Sequence, residues 1–451
     1  MKNDKYNCLV DYIRHVPNER LFLTLPEKNY TFGDVLELSN KFRADYPQLV
    51  NKSCAVLSNE RDTLALFLPA INDICSSLFL QPHDIKNSDN SFYESLGIEF
   101  VIYLSDRKVS SITTIGNHKK EKTRLVKNFL LSTSGTTGFP KFVSYTLNSL
   151  VSTTQKDIKR GNDFVWGLTY DINRFAGLQV YLQAIVSGST LVIPSVSANI
   201  DSLVQIFAKE SVNALSATPS FWRKVLMVPF HKNIPLERIT LGGEISNQTL
   251  LSALTNSYPA AKIAHIYAST EAGVGFVVKD KYEGFPLEFL DENSSLPCQI
   301  KIKSGLLWIK NSQTASKLIK GDIDTDDDFF VNTGDLVTIK GNRVLFLGRD
   351  NGSINVGGNK VMPEKVESIL EQHPFIVMAK VYAKSSPVLG SLVVSEVELN
   401  EDGQKLTSKD LKLELLTFCK GLLEPFETPT LFRSVNSIEI NATGKKVRNN
   451  K

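Results

Sequence analysis

Apolar runs short enough for strands alternate along the chain with segments whose apolar residues recur three and four positions apart. Near the start, Tyr30-Thr31-Phe32-Gly33-Asp34 leads into Val35, Leu36, Leu38 and Phe42, a helical spacing with Thr31 placed to cap it. Cys54-Ala55-Val56-Leu57 reads as a strand, Thr63 to Ile71 as an apolar helix, Ile74 to Leu80 as a second apolar run, and Ile98 to Leu104 as a strand. The polar stretch His83 to Ser91 reads as loop. Strands separated by helical patterns predict a mainly parallel sheet covered on both faces.

The alternation continues after Phe129-Leu130-Leu131, which reads as the end of a buried strand. A polar helix is predicted from about Leu147 to Lys159, then a strand Phe164 to Thr169, an apolar helix Val180 to Val186 ended by Gly188, and a strand Thr190 to Ile193. Residues 201–209 read as helix, 214–219 as the end of a strand, Phe221 to Met227 as helix and Ile239-Thr240-Leu241 as strand. That last strand runs straight into Gly242-Gly243-Glu244 and a helix with Asn247 near its start. This order puts a ligand at the carboxyl edge of a parallel sheet. The next strand, Ile263 to Tyr267, leads into Ala268-Ser269-Thr270-Glu271-Ala272-Gly273.

From about residue 296 short alternating segments separated by turn residues predict a small antiparallel β subdomain, which includes Asn332-Thr333-Gly334-Asp335-Leu336. The acidic run Asp322 to Asp328 lacks EF-hand spacing and reads as a solvated loop. The glycine-rich polar stretch from Gly348 to Gly358 marks a boundary, with Pro363 opening a helix beyond it. The expected organisation is α/β. A large domain, 1–348, combines helix-covered parallel sheets with the β subdomain, and a small α+β lid, 349–451, turns on a hinge near 349–351. The lid reads as helix 363–372, strands 377–382 and 391–397, helix 408–420 and a tail.

Composition narrows the partners. The 451 residues suffice for a large core and more than one domain. The 51 Lys+Arg against 48 Asp+Glu leave a net charge of +3, too little for a nucleic-acid surface, so no nucleic-acid partner is expected. Five scattered cysteines form no CxxC pair and read as reduced thiols of a cytoplasmic protein. The segment Met1 to Tyr12 has no signal-peptide core, and no apolar run has membrane-spanning length, so no integral membrane contact is expected.

The candidate chemistry starts at Leu131-Ser132-Thr133-Ser134-Gly135-Thr136-Thr137-Gly138-Phe139-Pro140-Lys141. Glycines that admit positive φ, hydroxyls that donate and a lysine cation suit a phosphate-binding loop. The spacing is not that of Walker A, because Gly135 stands three residues from Gly138 and Lys141 three further on. The competing reading of such a cluster is a surface turn.

Together these segments resemble the adenylate-forming superfamily of acyl- and aryl-CoA synthetases, amino-acid adenylation domains and luciferases. The resemblance covers nearly the whole chain, with the motifs in family order. It implies that Thr133, Ser134, Gly135, Thr136, Thr137, Gly138 and Lys141 close over the β- and γ-phosphates of ATP. Tyr267, within Tyr267-Ala268-Ser269, would stack on adenine, Thr270 would contact the α-phosphate and Glu271 would hold Mg²⁺. Gly242, Gly243 and Glu244 would line the adenine site, and Asp335 would take the ribose hydroxyls beside Arg349. In Ala442-Thr443-Gly444-Lys445-Lys446-Val447-Arg448, Lys445 would be the catalytic lysine bridging carboxylate and α-phosphate, with Lys446 as its neighbouring alternative. A solvated basic tail is the other reading of that segment.

The chain departs from the family at two places. The hinge position is Asn351 rather than Asp or Lys, and the aromatic-histidine motif of many CoA ligases is replaced by Tyr170 to Gly177 with Asn173 and Arg174. Tyr170-Asp171 resembles the Phe-Asp of amino-acid-activating members, whose aspartate pairs with the substrate α-amino group. Asp171 could equally cap the next helix or pair with Arg174, and Arg174 could meet a second carboxylate or a polar acyl substituent. The resemblance implies an ATP- and Mg²⁺-dependent ligase that converts a small carboxylic or amino acid to its acyl-AMP. It would then load the acyl group on coenzyme A or the phosphopantetheine of an acyl carrier protein. The alternatives are a stand-alone amino-acid adenylating enzyme that loads a carrier protein, a catalytically silent nucleotide-binding homologue, and an enzyme whose acceptor is an amine or oxygen.

Overall fold

The computed structural model describes residues 6–85, 88–115, 128–132, 141–269, 273–292, 294–311, 317–320, 324–386, 390–441 and 445–447. Thr133 to Gly138, Thr270 and Glu271 lie outside these residues.

Among the described residues the strands form five sheets. In the seven-stranded sheet, Asn128–Ser132, Ser77–Leu80, Ser53–Ser58 and Phe100–Ser105 run parallel at the centre. Antiparallel strands flank them: Phe142–Thr146 and then Lys317–Lys320 on one side, Lys108–Thr114 on the other. The eight-stranded sheet has Leu21–Thr24, Thr190–Val192, Val165–Gly167, Ala214–Ala217, Arg238–Gly242 and Lys262–Ser269 in parallel, with Asn29–Thr31 and Gly273–Val278 antiparallel at its edges. Helices Arg61–Ile74 and Phe175–Ser187 are apolar almost all round, because they are buried between the sheets, where their side chains join one continuous core. This is the α/β class expected.

Local signals act at the positions the sequence suggests. Thr31 and Asp34 exchange bonds in a capping box at the start of Phe32–Asp45. Gly188 ends Phe175–Ser187 in the left-handed region at φ +67, which a Cβ would strain.

The expected helix over 147–159 is instead two short pieces, Leu147–Leu150 and Ile158–Gly161. Hydroxyls of Ser152 and Thr154 bond back to the carbonyls of Ser149 and Val151, and Asp157 caps a fresh start by accepting from Lys159 and Arg160. Side chains that satisfy backbone groups locally compete with helix continuation.

The β subdomain is a five-stranded antiparallel sheet of Phe285–Pro286, Arg343–Arg349, Val331–Lys340, Leu306–Asn311 and Cys298–Lys303, over its own apolar cluster. Beyond a turn at Asp350–Gly352, the hairpin Ile354–Val356 and Asn359–Val361 precedes helix Pro363–Leu370. A three-stranded sheet of Ile376–Ser386, Gly390–Leu399 and Leu431–Val435 and helix Ser408–Cys419 complete a separate core. The segment expected as a tail therefore holds a strand, which pairs in parallel with Gly390–Leu399. All five cysteines are buried and reduced. No helix among the described residues is long and apolar enough to cross a membrane.

Candidate active site

Four parallel strands, Val165–Gly167, Ala214–Ala217, Arg238–Gly242 and Lys262–Ser269, end at the same edge of the eight-stranded sheet. A cavity of about 670 Å³ opens there. The residues at and just beyond each strand end line it: Tyr170 and Arg174, then Pro219 and Ser220, then Gly242, Gly243 and Glu244, then Ala268 and Ser269. Asp335 and Arg349 from the β subdomain and Lys445 from the C-terminal segment close it from the other side. Residues from widely separated motifs thus face one space.

Each wall is fixed by local chemistry. Thr218 caps helix Pro219–Met227, and the Trp222 indole on that helix donates to Thr240 O at 3.1 Å while its ring is fully buried. Glu244 accepts from Ser220 N at 2.9 Å, tying the glycine turn to the same helix N-terminus. Gly243 sits at φ +83, and a Cβ there would stand 3.3 Å from Lys445 Cε. The Lys445 chain therefore lies across the end of the strand.

Asp335 and Arg349 are direct register partners in adjacent strands and form an ion pair at 3.0 Å. The Tyr267 hydroxyl donates to the other oxygen of Asp335. Burial, and then the Asp335 charge, raise the Tyr267 phenol well above its ordinary value, so it remains a donor. The Tyr267 ring lies parallel to Phe276 and Phe346, with centroids 5.1 and 5.2 Å away. The tyrosine hydroxyl and the aspartate satisfy each other.

Asp171 and Asn173 do not line the cavity. Asp171 is buried and bonded to Arg61 at 2.6 Å, so it neither caps the next helix nor pairs with Arg174. Asn173 donates to Gln81 O at 3.2 Å. Arg174 reaches the cavity but is engaged by both oxygens of Asp84 and by Ser132 O. Lys141 directly precedes Phe142–Thr146 and is not a lining residue. Ser132 and Phe142 are register partners, so both ends of the candidate phosphate loop are pinned at one point. Ser132 lines the cavity.

Several lining residues carry no signal in the sequence. Phe346 stacks beside Tyr267, and Trp166 lines the cavity with its indole Nε1 buried and without a hydrogen-bond partner among the described residues. Arg223, Glu367 and Glu371 stand beside Lys446. Their partners come from other parts of the chain, so no local pattern announces them.

Lys446 is committed to this buried group. Its ammonium bonds Glu371 at 2.7 Å, Glu367 at 3.0 Å and Ala379 O at 2.7 Å. Burial alone would lower it, but Glu367, Glu371 and Glu244 outweigh that and hold it above its ordinary 10.5. Burial would raise Glu371, yet Arg223 and Lys446 hold it below its ordinary 4.5. The depressed carboxyl stabilises this arrangement above 4.5 and loses that contribution as pH falls through its folded value. The raised amine contributes below 10.5 and loses it as pH rises through its folded value. The Glu371 and Lys446 charges that hold the group together are thus constant from roughly pH 5 to 10. Small-angle X-ray scattering is expected to give one unchanged envelope across that window. An opening centred on neutral pH would contradict it.

No group of three or more metal-ligating side chains occurs among the described residues. Mg²⁺ on a nucleotide needs only one or two protein carboxylates beside phosphate oxygens, and Glu271, the residue expected to supply one, lies outside the described residues.

Comparison with known proteins bears on this geometry. The AMP-binding enzyme family matches residues 103–314, and the AMP-binding enzyme C-terminal domain matches residues 365–445. The D-alanine–D-alanyl carrier protein ligase of Staphylococcus aureus (strain Newman) is 24% identical over 393 residues, 81% of this chain and 78% of that protein. Two solved structures share the fold. The o-succinylbenzoate CoA synthetase of Bacillus subtilis in complex with its acyl-adenylate intermediate has TM-score 0.73 at 18% identity, covering 99% of this chain and 98% of that one. ATP-bound MatB from Rhodopseudomonas palustris has TM-score 0.74 at 15% identity, covering 97% and 96%.

Proposed function

The chain belongs to the AMP-binding enzyme family, and on that footing we propose that it is an ATP-dependent acid–thiol ligase. It joins a small carboxylic acid to AMP and passes the acyl group to coenzyme A or a carrier-protein phosphopantetheine. The observation that carries this reading is the convergence of Glu244, Tyr267, Asp335, Arg349 and Lys445 on one cavity at the carboxyl edge of a parallel sheet.

In the first step a carboxylate oxygen attacks the α-phosphorus, a P–O bond forms, and pyrophosphate leaves. Two anions approach each other there, so the Lys445 ammonium, carried over Gly243, would stabilise the charge that develops. Asp335 would accept the ribose hydroxyls, and Arg349 holds its carboxylate in orientation. Glu271 would hold Mg²⁺, which neutralises phosphate charge when bound. In the second step a thiolate attacks the acyl carbon and AMP leaves. We place the division between the ATP-binding domain and the lid at 349–351, where rotation would withdraw Lys445 before the thiol enters. A need for cellular ATP and five reduced thiols suit a cytoplasmic setting.

The acid is better read as aryl or polar than as an amino acid. Asp171, the carboxylate that would meet an α-ammonium, is spent on Arg61 away from the cavity. Trp166, Phe175 and Val180 instead offer an apolar end, and the Trp166 indole donor, unpartnered among the described residues, suits a hydrogen-bond acceptor on the acyl group. The likeness to a D-alanyl carrier protein ligase keeps amino-acid activation as the second reading. Pyrophosphate exchange with a panel of both classes decides, and product analysis with coenzyme A, carrier protein and hydroxylamine identifies the acceptor. Exchange with D-alanine alone would overturn the preference.

The Tyr267 hydroxyl and the Arg349 guanidinium both engage the carboxylate that would accept the ribose hydroxyls. Tyr267→Phe removes a donor that competes for Asp335 and is expected to tighten ATP roughly tenfold, since a hydrogen bond to a charged group is worth about 1.5 kcal/mol. Calorimetric titration reads this directly, and weaker binding would mean that the hydroxyl serves the nucleotide.

A further inference from the structure

Two lysines adjoin in the C-terminal segment, and they do opposite things. Lys445 extends over Gly243 into the cavity, whereas Lys446 turns away from it into the buried cluster of Glu367, Glu371 and Ala379 O. The Lys446 backbone N–H points the other way and donates to Glu244 Oε1 at 3.2 Å, while Glu244 Oε2 takes Ser220 N. Glu371 also reaches across, to Arg223 at 2.9 Å. Ser220 and Arg223 belong to the same helix, Pro219–Met227. Both crossings therefore join one helix of the large domain to one residue beside Lys445.

We propose that Lys446 is a positioning residue for Lys445, and that Arg223, Glu244, Glu367, Glu371 and Lys446 form the dock that selects the acid-activating orientation of the C-terminal domain. This rests on the adenylating reading given above. The side chains of Arg223, Glu367, Glu371 and Lys446 are 10% exposed or less, so the group is assembled only while the two parts are in contact. The hairpin that carries both lysines is closed by Asn441 N to Lys445 O at 2.8 Å and Val447 N to Glu439 O at 3.0 Å. Anchoring Lys446 therefore fixes where Lys445 begins. Further contacts reinforce the crossing: Lys224 donates to Ile438 O at 2.8 Å, and Asn247 to Ser368 at 3.4 Å. Arg223, Glu367, Glu371 and Lys446 act through their bonds to one another, while Glu244 also faces the cavity. Their effect is on the first step, because the dock holds the lysine where carboxylate and α-phosphate meet, and misplacement by about 1 Å can cost ~10²-fold.

The test separates the half-reactions in the intact protein. Lys446→Met is expected to lower acid-dependent pyrophosphate exchange by roughly tenfold or more, while thioester formation from a supplied acyl-adenylate stays within about twofold. Arg223→Gln, which leaves Lys446 among its own carboxylates, is expected to show the same split more weakly, and it stands in if Lys446→Met does not fold. Spin labels at Val196→Cys and Leu413→Cys, both exposed and on opposite sides of the proposed boundary, should show a second distance population in either variant. Equal losses in both half-reactions, or unchanged exchange with unchanged label distances, overturn the proposal. If the parent protein exchanges with no acid in the panel, the ligase reading fails and the label distances alone decide whether the dock exists.

Discussion

Replacing Lys445 by alanine is expected to lower acid-dependent pyrophosphate exchange by about 10²–10³-fold, the usual effect of removing one preorganised charge from a transition state. Thioester formation from a supplied acyl-adenylate should survive, because no second anion approaches phosphorus in that step. The expectation is specific to this lysine. Its chain crosses the strand end at Gly243, whereas Lys446 one residue on is sealed among Glu367, Glu371 and Ala379 O. Exchange by Lys445→Ala at the parental rate with the preferred acid would remove the lysine from the first step altogether.

Arg61→Met is expected to destabilise the large domain by about 3 kcal/mol, the low end of the range for breaking a buried ion pair from one side, because the Arg61 side chain is only partly buried. Asp171 is 5% exposed, and its Oδ1 accepts from Arg61 Nε at 2.6 Å. Methionine keeps most of the volume but strands the carboxylate. Adding Asp171→Asn should recover much of the loss, since an amide needs no counter-charge, and thermal melts of the two variants read the difference. The pair also carries a functional consequence. If Asp171 served a substrate ammonium instead, the double variant would lose amino-acid exchange without having lost stability in the first place.

Much of the α/β frame was legible because its signals are local. Strand, glycine pair and capped helix over 238–257 succeed one another within a few residues, and each acts on its neighbours. Pairing at a distance is the part that no local pattern discloses. Asp171 meets Arg61, 110 positions away, and Arg174 meets Asp84, 90 positions away, while the local alternative, Asp171 with Arg174, is not made. Residues 151–157 show the converse failure, since hydroxyl-to-backbone bonds there overrode a helical pattern that looked continuous. In the candidate site, the motif residues Glu244, Tyr267, Asp335 and Arg349 converge, but Phe346 and the Arg223–Glu371 pair emerge only when strands and helices from different sequence regions are brought together.

The turn at Asp350–Gly352 is only a few residues long, and it tethers the two sides of the proposed dock. A short tether presents its partners to each other at an effective concentration near the millimolar range. At that concentration a contact worth only about 4 kcal/mol as a free association would already be half populated. One ion pair and a few hydrogen bonds between Arg223, Glu244, Lys224, Asn247 and the C-terminal segment would thus suffice to seat it, and in the proposed cycle the departure of pyrophosphate would be enough to unseat it.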